Sequence, residues 1–232
     1  MRRISLITLP LMLVIVLALS LPHFGFTADE MMKGKDMMEK GKEMMMPSPT
    51  SDTPAAALRT KLNLLLQEHV FLAAAATDAA LGGRDAEFKA AAAALDENSV
   101  ALAKANGSVY GPNAEKAFLP LWRRHIGFFV DYSTGVATKD KAKQEKAVND
   151  LLAYTKEFGA FLHSASPSLP ADAVAELVKE HVLTLKAVVD DQAAKDYSKA
   201  YTDLLKAAAH MQMIADAHAE AIVKQFPEKF AK

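Results

Sequence analysis

Cysteine is absent from the 232 residues, which excludes disulfides, thiolate metal sites and cysteine nucleophiles. Charge of one sign is absent too. Lys and Arg number 27 against 28 Asp and Glu, a net charge of −1, and 25 against 28 once Arg2 and Arg3 are set aside. With no basic field to draw a polyanion, nucleic acid is excluded as a partner class. Alternating β-branched runs are missing, no Gly-rich phosphate loop occurs, and neither HExxH nor a paired Glu-x-x-His set is present. P-loop chemistry, zinc proteases and ferritin-like di-iron sites therefore lack their ligands. Ser164 and Ser166 beside His163 read as a polar loop, not a hydrolytic triad. No catalytic constellation stands out, and the expectation is a protein that is not an enzyme.

What is present begins with an apolar leader. Arg2 and Arg3 precede the apolar run Ile4 to Leu21, the layout of a signal peptide. Cleavage after Ala28 would put Phe26 at the −3 position, a poor fit to the small-residue rule. Residues 1–28 thus read as a signal peptide or an uncleaved N-terminal anchor, the latter giving the only expected membrane contact. Either way the expected location is extracytoplasmic, secreted or associated with the cell envelope.

Residues 29–54 follow as a Met-rich segment and a Pro/Ser/Thr linker. Met31, Met32, Met37, Met38, Met44, Met45 and Met46 recur every six or seven residues, with Lys-Gly-Lys between the groups. Thioether sulfur binds Cu(I) without losing a proton, so clustered methionine outside the cytosol suits copper capture. A solvated tether and an amphipathic helix that docks on a partner are the competing readings.

From residue 55 to 230 helical patterning alternates with short breaks, giving six helices near 55–80, 85–105, 113–137, 140–163, 171–192 and 196–225. Pro54, Pro112 and Pro170 stand at or just before the first, third and fifth, where a missing N–H costs nothing. A repeat runs through this region. His69, His125 and His181 are spaced by 56 residues, each followed by a β-branched residue and preceded by an apolar pair. Repeats at about 57–112, 113–168 and 169–224 follow. The fold class is all-α: three tandem antiparallel helical hairpins, forming an up-down bundle or a short array.

Each histidine falls on an apolar stripe: Leu62, Leu65, His69 and Ala76 in the first hairpin; Phe118, Leu121, His125 and Tyr132 in the second; Val174, Leu177, His181 and Leu185 in the third. Reflection about the hairpin turns sends them to Asn98, Tyr154 and His210, always 29 residues on. The expectation is that each imidazole hydrogen bonds its polar mate and pins the register of its hairpin. In the third hairpin the pair is His181 and His210, with Met213 one turn on. That nitrogen and thioether set suits copper or zinc.

The stretches QEHVFLAAAATDAALGGRDAEFKAA, EKAFLPLWRRHIGFFVDYSTGVATKDKAK and IVKQFPEKF resemble helical modules of exported Gram-positive proteins labelled copper amine oxidase-like. The resemblance covers most of the chain after the leader and implies an extracytoplasmic helical protein connected with copper. It does not extend to amine oxidase chemistry, because none of the five tyrosines follows an asparagine, as the Asn-Tyr-Asp/Glu quinone site requires. The functional expectation is a non-enzymatic extracytoplasmic binding protein with copper as ligand and cofactor. The alternative is a structural or interaction module of the cell envelope or spore surface, with an envelope protein or glycan as partner.

Overall fold

The computed structural model describes residues 53–231. They form six long helices: α1 (Pro54–Leu81), α2 (Asp85–Tyr110), α3 (Pro112–Ala137), α4 (Lys141–Ala165), α5 (Ala171–Ala194) and α6 (Tyr197–Gln225). A last turn, α7 (Pro227–Phe230), ends the fold. No strand occurs among the described residues, and the three-hairpin reading holds. The leader and the methionine segment lie outside the described residues.

The helix starts are chemically marked. Thr53, Asp140 and Asp196 cap α1, α4 and α6 with side-chain oxygens that accept from Ala56, Lys143 and Lys199 N–H groups, satisfying donors a helix leaves open. Pro54 and Pro112 occupy first-turn positions. One boundary differs from expectation. The break foreseen at Asn106–Pro112 shrinks to Gly111, whose φ is +94°. Asn106 and Gly107 stay inside α2 because Asn106 is buried and donates back to the Leu102 carbonyl.

The repeat is written into the turns. Each hairpin turn places one residue in the left-handed region, at Gly83, Lys139 and Lys195, with φ of 67°, 57° and 61°. In each, the next N–H reaches back five residues: Arg84 to Ala79, Asp140 to Gly135 and Asp196 to Asp191. That is the Schellman closure, which favours glycine at this position. Only the first repeat has it. Replacing Lys139 or Lys195 by Gly should therefore stabilise the bundle by roughly 0.5–1 kcal/mol each, measured as a shift in the urea midpoint. No gain at either site would show that the two lysines carry no backbone strain.

The array closes on itself. Every helix packs on its chain neighbour, and α6 returns to pack on α1. Arg59 and Asn63 of α1 both donate to the Asp216 carboxylate of α6 across this seam. The first helices of the hairpins, α1, α3 and α5, also touch one another and form the inner set. Residues equivalent under the repeat consequently meet at the centre as triplets. Leu62, Phe118 and Val174 are one buried set, and Leu66, Trp122 and Val178 another. Beyond the histidines come Ala73, Phe129 and Leu185. The spacing along each inner helix alternates three and four residues, the rhythm of a bundle core. In these sets α3 supplies the aromatic ring, while α1 supplies alanine on one side of the histidines.

Candidate metal centre

Between the tryptophan triplet and the Ala73 triplet the equivalent residue is histidine on all three inner helices. Closing the ring brings His69, His125 and His181 together in the interior. Their relative exposures are 1%, 2% and 3%, and one ring nitrogen from each lies within 4.8 Å of the other two. The Nε2 atoms of His69 and His125 are 3.4 Å apart. Three nitrogens bound at about 2.0 Å to one ion sit roughly 3.5 Å from each other. Two of the imidazoles are thus already at ligand spacing, and His181 has to swing inward by on the order of 1 Å.

The surroundings hold the rings by packing. Trp122 lies edge-on to His125 at 4.5 Å between centroids and tilts over His69 at 4.9 Å, while Tyr154 stacks on His125 at 5.1 Å. No acceptor or donor among the described residues meets hydrogen-bond geometry with Nδ1 of any of the three, the Trp122 carbonyl near His125 included, and His181 Nε2 also lacks a partner. Each buried nitrogen left this way costs about 1–3 kcal/mol. A cluster that bears this cost at four nitrogens is poorly explained as core packing. A cation at their meeting point would take the lone pair of one nitrogen on each ring, Nε2 on His69 and His125, and would leave the Nδ1–H groups of those two rings as they are.

Burial also fixes the protonation state. Loss of solvation pushes His125 down to about 3 and His181 down to about 4. His69 lies well below its ordinary value, first through burial and then through its two histidine neighbours. All three rings are neutral at pH 7, the state in which imidazole ligates metal.

The polar mates occupy the expected places but do something else. Asn98 donates to the Leu65 carbonyl and His210 Nε2 to the Leu177 carbonyl, at 2.9 Å and 2.7 Å. Both acceptors lie four residues before the histidine of that repeat, so the mate bonds the helix backbone and leaves the imidazole free. Tyr154 stacks on His125, and its hydroxyl has no partner among the described residues. The His181, His210 and Met213 set is not assembled. His210 is committed to its carbonyl, and Met213 is 58% exposed, because a step of three from the half-buried His210 stays on the outer face of α6. Met211 is the methionine that enters the core. His181 joins His69 and His125 instead, and those two were absent from the sequence-derived ligand set. The signal that could have found them is the 56-residue interval itself, since a closed ring sends equal positions to one axis.

A cleft adjoins two of the three rings. A cleft of about 380 Å³ between α1, α2 and α3 has His69 and His125 in its wall and reaches the first hairpin turn at Asp85 and Phe88. It exists because α1 lines it with Ala73, Ala76 and Ala80. Asp85 is the one carboxylate in its lining. Comparison with family models, curated proteins and solved structures finds no match for this chain.

Proposed function

We propose that the protein is a non-enzymatic, extracytoplasmic copper-binding protein that holds one Cu(I) between His69, His125 and His181. The observation that supports this reading is the meeting of three neutral, buried imidazoles whose ring nitrogens have almost no other partners. Charge argues for the monovalent ion. No carboxylate belongs to the cluster, and desolvation cost rises steeply with charge, so a divalent cation without a counter-anion is the harder one to bury. Imidazole is a competent copper ligand, and the thioethers of Met31, Met32, Met37, Met38, Met44, Met45 and Met46 would capture the same ion outside the bundle. The leader and the resemblance to exported copper-associated modules point the same way. The cleft brings no acid or base to the imidazoles apart from Asp85 near its mouth, which favours holding an ion over catalysis.

The test is an equilibrium competition of the mature protein against chromophoric chelators, with Cu(I) under anaerobic conditions and with Zn(II). Changing the seven clustered methionines to Leu isolates the bundle. That version should retain one Cu(I) per chain and hold it at least about tenfold more tightly than Zn(II). Retention of neither ion would end the proposal.

A second reading, an envelope interaction module, is favoured by a different surface. Phe71, Tyr197, Tyr201 and Leu205 are 45–68% exposed, and the first three line a shallow groove between α1 and α6. A protein or glycan partner would dock there, away from the histidines.

A further inference from the structure

On the opposite side of the histidines from the alanine-lined cleft lies a second cavity, of about 270 Å³. All six long helices contribute to its wall, and Leu62, Leu102, Phe118 and Phe158 among the lining side chains are buried. Pro170 and Ala173, at the start of α5, are its exposed lining residues and mark its opening. A small molecule can pass there. A folded partner cannot reach a wall made of interior side chains.

Three lining side chains carry polar atoms, and none offers them to the cavity. Asn106 donates its amide to the Leu102 carbonyl at 3.0 Å and turns Oδ1 to His218 Nε2, 3.1 Å away. The Trp122 indole N–H and His218 Nδ1 are sealed in by packing. The surface that a guest would meet is therefore almost wholly carbon. A water molecule needs roughly two to four polar partners to be held, so water is a poor occupant here. The alanine-lined cleft differs, since Thr77, Asp85 and Ser133 stand in its lining. An apolar void also forfeits dispersion contacts along its whole wall, and an apolar guest restores them.

We propose that this cavity is a binding site for a neutral hydrocarbon of roughly ten carbon atoms, held by burial and packing with no hydrogen bond. The size follows from volume. A cavity of about 150 Å³ holds benzene, so 270 Å³ takes roughly ten carbons. Neutrality follows from the lining. It contains no Lys or Arg, so a carboxylate would enter without a counter-charge and lose its hydration. The site is independent of the metal proposal, since none of the three axial histidines lines it.

The experiment uses the metal-free mature chain and the series benzene, ethylbenzene, butylbenzene and hexylbenzene. Para-propylphenol and octanoate serve as polar probes matched to butylbenzene in size. Binding is read by calorimetry and by the fluorescence of Trp122, the single tryptophan in the sequence and part of the wall. Affinity should rise about fourfold per methylene up to butylbenzene and stop rising at hexylbenzene, which exceeds the volume. Each polar probe should bind at least about tenfold more weakly than butylbenzene, because the wall offers its oxygens no partner. Ala217→Phe, which adds a ring at the cavity wall, should weaken butylbenzene by at least about tenfold, with circular dichroism confirming that the variant is folded. For the unmodified chain, no binding of butylbenzene, a gain that continues undiminished through hexylbenzene, or equal affinity for either polar probe would each overturn the proposal. Undiminished binding by folded Ala217→Phe would overturn it as well.

Discussion

Replacing His125 by Leu should raise the melting temperature of the metal-free protein and erase its stabilisation by Cu(I). Two effects of opposite sign follow from one buried ring. Without metal, His125 has an unpartnered Nδ1 and a single weak polar contact, with His69, so an apolar residue of similar bulk that keeps the packing against Trp122 and Tyr154 removes a desolvation cost and gives up little. With metal, one of three ligands is gone. Loss of an outer-sphere partner alone commonly costs 10–100-fold in affinity, so removal of a ligand should cost more than about 100-fold. For the unmodified chain, free Cu(I) at a hundred times its Kd stabilises by about 2.7 kcal/mol, roughly 5–10 °C in a bundle of this size. Calorimetric melting with and without Cu(I) checks both. The readout isolates the bundle, because methionines that bind equally in folded and unfolded chains do not shift the equilibrium. His210→Ala and Met213→Leu should leave the Cu(I) shift intact, since His210 is bonded to Leu177 and Met213 faces solvent. A full Cu(I) shift in His125→Leu would refute the trigonal site.

The second large effect is acid unfolding at an unusually high pH. His125 is held at about 3, His181 and His218 at about 4, and His69 well below its ordinary value, all chiefly by burial. In the unfolded chain each returns to about 6.5. Above that pH all four are neutral in both states and contribute no slope. Below it the unfolded chain takes up protons that the folded chain refuses, so stability falls with pH by up to about 1.4 kcal/mol per unit for each histidine. Four acting together exceed about 5 kcal/mol per unit, enough to consume a typical domain's stability within two or three units. The depressed carboxylates act elsewhere. Asp203, held at about 2 first by its hydrogen bond to Lys199, contributes above its ordinary value of 3.8 and loses that contribution only as pH falls toward 2. A circular dichroism titration of the metal-free protein should therefore show a steep midpoint between about pH 4 and 6. His125→Leu should flatten it by one proton and move it to lower pH. A midpoint below pH 3 for the unmodified chain would mean that the imidazoles gain solvent or partners in solution.

Much of this molecule is legible in the amino-acid sequence because the repeat is long and its punctuation regular. The proline and acidic or hydroxyl starts, the turns near 83, 139 and 195, and the burial of three histidines all follow from local pattern and a 56-residue period. Reflection about each turn even located Asn98 and His210 at the right level, yet it assigned them the wrong bond. The reason is geometric. Reflection treats a hairpin as isolated, and an isolated hairpin has only its own partner helix to offer a buried ring. Closure of α6 onto α1 supplies two further inner helices, and the imidazoles turn toward that axis while Asn98 and His210 settle on carbonyls and Tyr154 stacks on His125. Local spacing does not encode whether an array closes.

The supply of one imidazole by each hairpin has a stoichiometric consequence. A peptide comprising a single hairpin would bring one donor and would have to gather as a homotrimer to rebuild the trigonal set. Joining three such units covalently fixes the ratio at one three-imidazole cluster per polypeptide at any concentration. It also releases the three from identity, so that one can carry bulky rings and another small side chains around imidazoles that still stand in register.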